Sequence, residues 1–353
     1  MIAGRNARAF PIEDPSGKGR LRGRPSARKI VPASRVGATP NTNLPIRARW
    51  CSCKGDVAEP ATKRERTTKR RTSKRSDVAC LMPALTLPNG CEDRLLIINC
   101  DDVGSSHSAN VAAFRAMTYG VATSASLMVP CSWAAEAARM FEGLPVGVHL
   151  TLTSEHPGYR WRSLTGAASL PDADGFLPAT SAIAVAQQDR EDVRAECRAQ
   201  IEAALEWGVD VTHIDPHMDV LHASEALFTI YLDLAQQFAV PIRLPLQAPF
   251  PARELAAARG VLSVDHLVYT WPRPTRDVLF ETCPGLPRGV TELFAHPVLD
   301  CEELRGYDRH HADIRVHDAA TLTDPSVTAL LDQHGIQRIS YRELRAVQRA
   351  RSA

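Results

Sequence analysis

Leu95-Leu96-Ile97-Ile98-Asn99-Cys100-Asp101-Asp102-Val103-Gly104 is the stretch on which the fold turns. Its four consecutive apolar residues suit a strand buried on both faces, the habit of parallel sheets covered by helices. The strand then runs into two adjacent carboxylates and a glycine. Ser108 to Tyr119 follows at helical spacing (Val111, Ala112, Phe114, Met117) and stops at Gly120.

The alternation continues outward. Ser124–Val129 reads as a strand, Ser132–Phe141 as a helix, and Val146–Leu152 as a strand again. A Gly- and Pro-rich loop occupies 154–180. Asp189–Trp207 is a long helix, 211–215 a strand, Ser224–Phe238 a helix, and Ile242-Arg243-Leu244 a short strand. Thr291–His296 is a later strand. A helix at Val327–His334, a strand at Gln337–Tyr341 and a terminal helix close the chain. Strands alternating with helices imply parallel pairing through crossovers, hence a doubly wound sheet or a (β/α) barrel. Both architectures build their sites at the C-terminal ends of the strands.

Upstream the composition changes. The chain has 42 Lys+Arg and 40 Asp+Glu, but residues 1–80 carry 20 of the former against 6 of the latter. That segment is rich in Gly, Pro, Ser and Arg, with a dense run from Lys63 to Arg75, and cannot bury enough apolar surface to offset ordering. The expected division is a disordered basic segment over 1–90, with Met82 as an alternative start that would leave most of it out of the mature protein, and an α/β domain over 91–353. The remaining 22 basic against 34 acidic residues make the domain acidic, a poor partner for nucleic acid. Nine scattered cysteines do not form a disulfide pattern and fit free thiols. No apolar run reaches the ~18–20 residues of a membrane span, and no secretory signal opens the sequence. A cytoplasmic protein is expected.

Polar residues capable of chemistry fall at the predicted strand ends: Asp101 and Asp102, His149, Asp215 and His217, and His296. Singly each has a bland explanation. Asp-Asp-x-Gly can be a strand end with a helix cap, and a histidine within an apolar strand, His213 above all, is commonly a core residue. Together, at four strand ends of one alternating fold, they read as a site. Adjacent carboxylates repel unless a cation or proton sits with them. One divalent ion, magnesium or zinc, held by Asp102, His149 and His217 would relieve that repulsion and leave positions for water and substrate. Asp101 would then be the general base, and His296 would serve the leaving nitrogen or the oxyanion. The resulting chemistry is amide hydrolysis by metal-activated water.

Four segments resemble one family. Leu-Ile-Ile-Asn-Cys-Asp-Asp-Val-Gly (96–104) is similar to its Asn-Ala-Asp-Asp-Phe-Gly opening, and Val146 to Thr153 to its Gly-x-His-x-x-Leu-Thr strand. Thr212 to His217 resembles Thr-His-x-Asp-Ser-His, and Glu292 to Pro297 resembles Glu-x-x-x-His-Pro-Gly. In order and spacing these resemble the YdjC-like carbohydrate deacetylases, from about residue 94 onward. The resemblance implies an irregular (β/α) barrel similar to polysaccharide deacetylases and metal-dependent removal of N-acetyl groups from amino sugars or oligosaccharides. By motif position it gives the roles just named to Asp101, Asp102, His149, His217 and His296. The chain departs from the pattern at Val103, at Val298 and at Met218-Asp219, where the family has x-His.

Asp219 is therefore a candidate substrate contact, with Arg243 and Trp161; Trp271 and Tyr159 are loop aromatics of the same kind. Competing readings are a carbohydrate-binding pseudoenzyme and a metallohydrolase of another amide or ester. Homo-oligomerisation is left open by the sequence.

Overall fold

The computed structural model describes residues 93–245 and 247–352. The basic segment and its boundary at 90/91 lie outside the described residues. So do four of the nine cysteines; the other five, Cys100, Cys131, Cys197, Cys283 and Cys301, are free thiols.

Strands β1 (Arg94–Val103), β2 (Ser124–Leu127), β3 (Val146–Leu150), β4 (Ile214–Pro216), β5 (His266–Val268), β6 (Gly289–Ala295) and β7 (Gln337–Arg338) form one parallel sheet. The order is β4-β3-β2-β1-β6-β5, with β7 beside the start of β1. Two isolated parallel bridges run from Ile214 through Ile242 to Ser263, immediately upstream of β5. They carry the β4 edge round toward β5 and curl the sheet into an irregular (β/α) barrel. Eleven helices wrap it among the described residues: α1 (His107–Tyr119), α2 (Ala134–Met140), α3 (Ser181–Gln187), α4 (Arg190–Glu206), α5 (Glu225–Phe238), α6 (Ala252–Ala258), α7 (Thr275–Thr282), α8 (Glu302–Tyr307), α9 (Ala312–Leu322), α10 (Pro325–Gln333) and α11 (Tyr341–Ser352). None is long and apolar enough to cross a membrane.

The first strand is buried throughout, apart from partly exposed Arg94, as its unbroken apolar run requires. Side-chain caps start the helices that follow: Ser106 before α1, Asp189 before α4 and Ser224 before α5 each accept a backbone N–H. Two expectations differ in extent. The expected strand at 211–215 pairs as a strand only from Ile214, and the expected strand at 242–244 reduces to one residue, Ile242, bridged on both sides, because pairing there turns the barrel corner. The short α3, α6, α7 and α8 are not foreseen, having few residues in which a period can show; nor is the longer α9 (Ala312–Leu322), where charged and polar residues interrupt the apolar positions.

The lower face, at the N-terminal ends of the strands, is sealed by α11 and the strand before it. Arg338 donates to the Gly120 carbonyl after α1, and Arg342 to Gly143 after α2. Arg345 donates to Val211 and Asp210 after α4, and Arg349 to Ala239 after α5. The side chain of Gln348 accepts from the Leu262 N–H after α6. Five turns, those after α1, α2, α4, α5 and α6, are laced to one short stretch. Arg338 and Arg349 satisfy the C-cap carbonyls of α1 and α5, where the macrodipole is negative, and Arg342 and Arg345 satisfy carbonyls in the loops beyond α2 and α4.

His213, expected to be a core histidine, is fully buried and stacks on Tyr341 with ring centroids 3.8 Å apart. Burial pulls its pKa down to about 4. Its ring lies against Gly147 of β3, where an added Cβ would stand 2.4 Å from Nδ1 and 2.6 Å from the backbone oxygen. Gly147→Ala is expected to lose about 1–3 kcal/mol by overpacking, read as a lower denaturant midpoint at unchanged slope.

Candidate functional site

The C-terminal ends of the strands open into a cavity of about 490 Å³. Asp101, Asp102, His149, His217, Asp219, Arg243 and His296 all line it. Six of them come from the ends of β1, β3, β4, β6 and the Ile242 bridge, so alternation alone brought them to one rim.

Asp102, the last residue but one of β1, is in the left-handed region, φ 62°, and lines the cavity. Its Oδ1 lies 3.5 Å from His149 Nε2 and 3.4 Å from His217 Nδ1, and the two imidazole nitrogens are 3.2 Å apart. Oδ1 is buried and has no hydrogen-bond partner among the described residues. Donor atoms each about 2.1 Å from a tetrahedral ion would stand about 3.4 Å from one another. The three atoms fit that spacing, so the group could hold a metal ion.

Each imidazole is aimed by a carboxylate on its other nitrogen. His149 Nδ1 is 2.9 Å from Asp215 Oδ2, and His217 Nε2 is 3.1 Å from Glu155 Oε2. Such outer partners fix which nitrogen faces a metal. They also set the charge. Burial pulls the His217 pKa down, but Glu155 and Asp102 more than offset it and bring it to about 9. Burial likewise opposes the charged form of His149, yet Asp215 and Asp102 hold its pKa well above the usual imidazole value. For Asp102, burial pushes upward, and the two imidazoles hold the carboxyl well below its ordinary range.

Asp101 faces the same space, its Oδ2 4.0 Å from His149 Nε2. Arg243 grips it with two hydrogen bonds of 2.7 and 2.8 Å, and Asn99 Nδ2 adds a third of 2.8 Å. Arg243 also donates to Glu292 from Nε and Nη2 and stands 3.0 Å from Asp215. At 3 % exposure its guanidinium is committed to carboxylates, while Arg243, expected as a substrate contact, also lines the cavity. Trp161 is displaced from its expected place: it is buried, donates Nε1–H to the Thr153 carbonyl and packs near His217 instead of facing the cavity.

Asp219 does face the cavity, with its side chain half exposed. It and Met218 both have left-handed φ, 56° and 51°, and His222 and Tyr269 hold its two oxygens. His296 follows β6, its ring set edge-on to Trp271 at 4.9 Å between centroids. Burial lowers its pKa, and its Nδ1 is unpartnered among the described residues.

Sequence reasoning passed over Glu155, Arg315, Tyr269, Tyr307 and Asp308. Glu155 stands just beyond the recognised β3 motif, and a carboxylate two residues past it carries no signal of its own. Arg315 Nη1 donates to Asp102 Oδ2 at 2.8 Å across 213 residues of chain, a pairing that no local pattern discloses.

The model of the YdjC-like protein family matches residues 95–333. The chain belongs to the YdjC-like family. A carbohydrate deacetylase of Geobacillus stearothermophilus is 31% identical over 255 residues, 71% of this chain and 98% of that protein. Another, from Thermus thermophilus, is 35% identical over 195 residues, 55% of this chain and 68% of that one. The crystal structure of an Enterococcus faecalis protein provisionally named for cellobiose-phosphate cleavage superposes with a TM-score of 0.65 at 24% identity. It covers 71% of this chain and 99% of its own, and shares the fold. The YdjC-like match spans every strand of the barrel except β7 and stops short of the sealing helix α11.

In this YdjC-like site the raised imidazole pKa values mean that a metal must displace protons. With the His217 pKa raised to about 9 by Glu155 and Asp102, uptake of a divalent ion at neutral pH is expected to release protons and to weaken as pH falls. Calorimetry in buffers of differing ionisation enthalpy reads that release directly; uptake with no proton release would contradict the charge assignment.

Proposed function

We propose that the chain is a metal-dependent carbohydrate N-deacetylase, releasing acetate from N-acetylated amino sugars or oligosaccharides. The observation that carries the reading is the buried triangle of Asp102, His149 and His217 with Asp101 beside it, at the base of an open cavity. The deacetylase names of relatives that align over nearly their whole length support it.

Asp102, His149 and His217 would hold one divalent ion, and two nitrogen donors favour a first-row ion such as zinc over magnesium. Such an ion supplies Lewis acidity to an amide carbonyl and acidifies water. The remaining work falls to the chain. Asp101, pinned by Arg243 and Asn99, cannot swing away and presents a fixed carboxylate to take the proton of the attacking water. His296 sits across the rim. Its lowered pKa keeps it a neutral imidazole at neutral pH, able to donate an N–H to the developing oxyanion and to serve the departing nitrogen. Trp271, Tyr269 and Tyr307 supply aromatic faces for the apolar side of a sugar ring. A cavity of about 490 Å³ lies within the range of small-ligand sites.

The test is acetate release from N-acetylglucosamine oligomers by the zinc-loaded chain, beside a chelated sample and two variants. Asp101→Asn is expected to lose about 10²–10⁴ in kcat with zinc uptake retained, and His296→Ala about 10²–10³. Stoichiometric zinc without acetate from any N-acetylated sugar would sink the deacetylase reading and leave another amide or ester as substrate. Acetate release that survives chelation would sink the metal.

A further inference from the structure

Asp102 divides its two oxygens between unlike neighbours. Oδ1 faces the two imidazoles, while Oδ2 accepts from Arg315 Nη1 at 2.8 Å. Arg315 comes from α9 and is 6 % exposed. Its Nε donates to Asp308 Oδ2 at 2.7 Å, and its guanidinium lies over the Trp271 ring, 5.2 Å from the centroid. Asp308 in turn accepts from His311 at 2.9 Å through its other oxygen. A permanent cation is thus locked onto the outer oxygen of the carboxylate whose inner oxygen belongs to the metal-fitting triangle.

Two consequences follow from elementary electrostatics. A guanidinium on Oδ2 repels any second cation near Oδ1 and draws electron density away from it. By occupying Oδ2 it also prevents the carboxylate from chelating with both oxygens. Each effect loosens the hold on a metal, and the second spares a coordination position, which a hydrolytic site needs for water and substrate.

We propose that Arg315 is a positioning residue that restricts Asp102 to one-oxygen ligation and deliberately weakens the site's grip on its ion. The inference rests on the metal-dependent reading above. Asp308 works against Arg315: it shares the guanidinium charge, so removing its own charge leaves more of that cation acting on Asp102.

The two residues therefore have opposite expected effects, although neither belongs to the triangle. The full chain, stripped with a chelator, is titrated with zinc against a chromophoric competitor at fixed pH and salt. Arg315→Met is expected to bind zinc about tenfold more tightly or better, and Asp308→Asn to bind it several-fold more weakly. Cobalt-loaded Arg315→Met should also show weaker visible absorption as its coordination number rises. A role confined to packing would weaken binding in both variants, so Arg315→Met binding equally or less tightly overturns the proposal. Should Arg315→Met not fold, the neutral Arg315→Gln takes its place, and binding equal to or weaker than that of the unaltered chain overturns the proposal; unchanged or tighter binding by Asp308→Asn overturns it as well. If the unaltered chain takes up no zinc, the metal reading itself fails and this inference with it; if it does take up zinc, the variants judge this inference alone.

Discussion

One buried guanidinium holds the active end of this barrel together. Arg243 stands among Asp101, Asp215 and Glu292, which are 3 %, 0 % and 0 % exposed. Carboxylates so far from water are tolerable only with a cation and donors at hand, and breaking such a cluster by deleting one partner commonly costs about 3–5 kcal/mol. Each of the three leads somewhere different. Asp101 faces the cavity, Asp215 orients His149, and Glu292 accepts from Tyr341 Oη at 2.5 Å, which joins the site to the helix sealing the opposite face. Burial raises the Glu292 pKa, and the hydrogen bonds from Arg243 and Tyr341 oppose that rise.

A second guanidinium, Arg315, does the same for the neighbouring carboxylate. Adjacent aspartates at the end of a strand would repel each other, and the fold answers by assigning one arginine to each. The pair is thereby made unequal. Asp101 has both oxygens bound by Arg243, whereas Asp102 keeps one oxygen free toward His149 and His217. Two residues of the same type, one peptide apart, acquire different chemistry from what surrounds them.

Much of this was legible in the chain because it is written at short range. The unbroken run Leu95–Ile98 identifies a doubly buried strand, and its period places Asp101 and Asp102 at the strand end, where topology alone collects His149, His217 and His296. What escaped was long-range. Arg243 read as a substrate contact because a sequence shows a charge but not its partners, three of which lie on other strands. Trp161 read as a cavity aromatic because a loop tryptophan looks exposed until its indole N–H is seen to be satisfied by the Thr153 carbonyl. Arg315 and Glu155 complete the surroundings of Asp102 and His217 from a helix and a loop with no motif of their own.

The lacing of five turns by Arg338 and α11 bears on how the molecule is made. On a ribosome, β1 to β3 emerge long before the residues that seal their lower ends. Until then the helix termini keep unsatisfied carbonyls, and Glu292 and His213 lack Tyr341. Contacts of such large sequence separation form late and slowly. The nascent barrel must therefore wait half-built, with apolar strands uncovered, and its window for misassembly is set by the distance between its first strand and its last arginines.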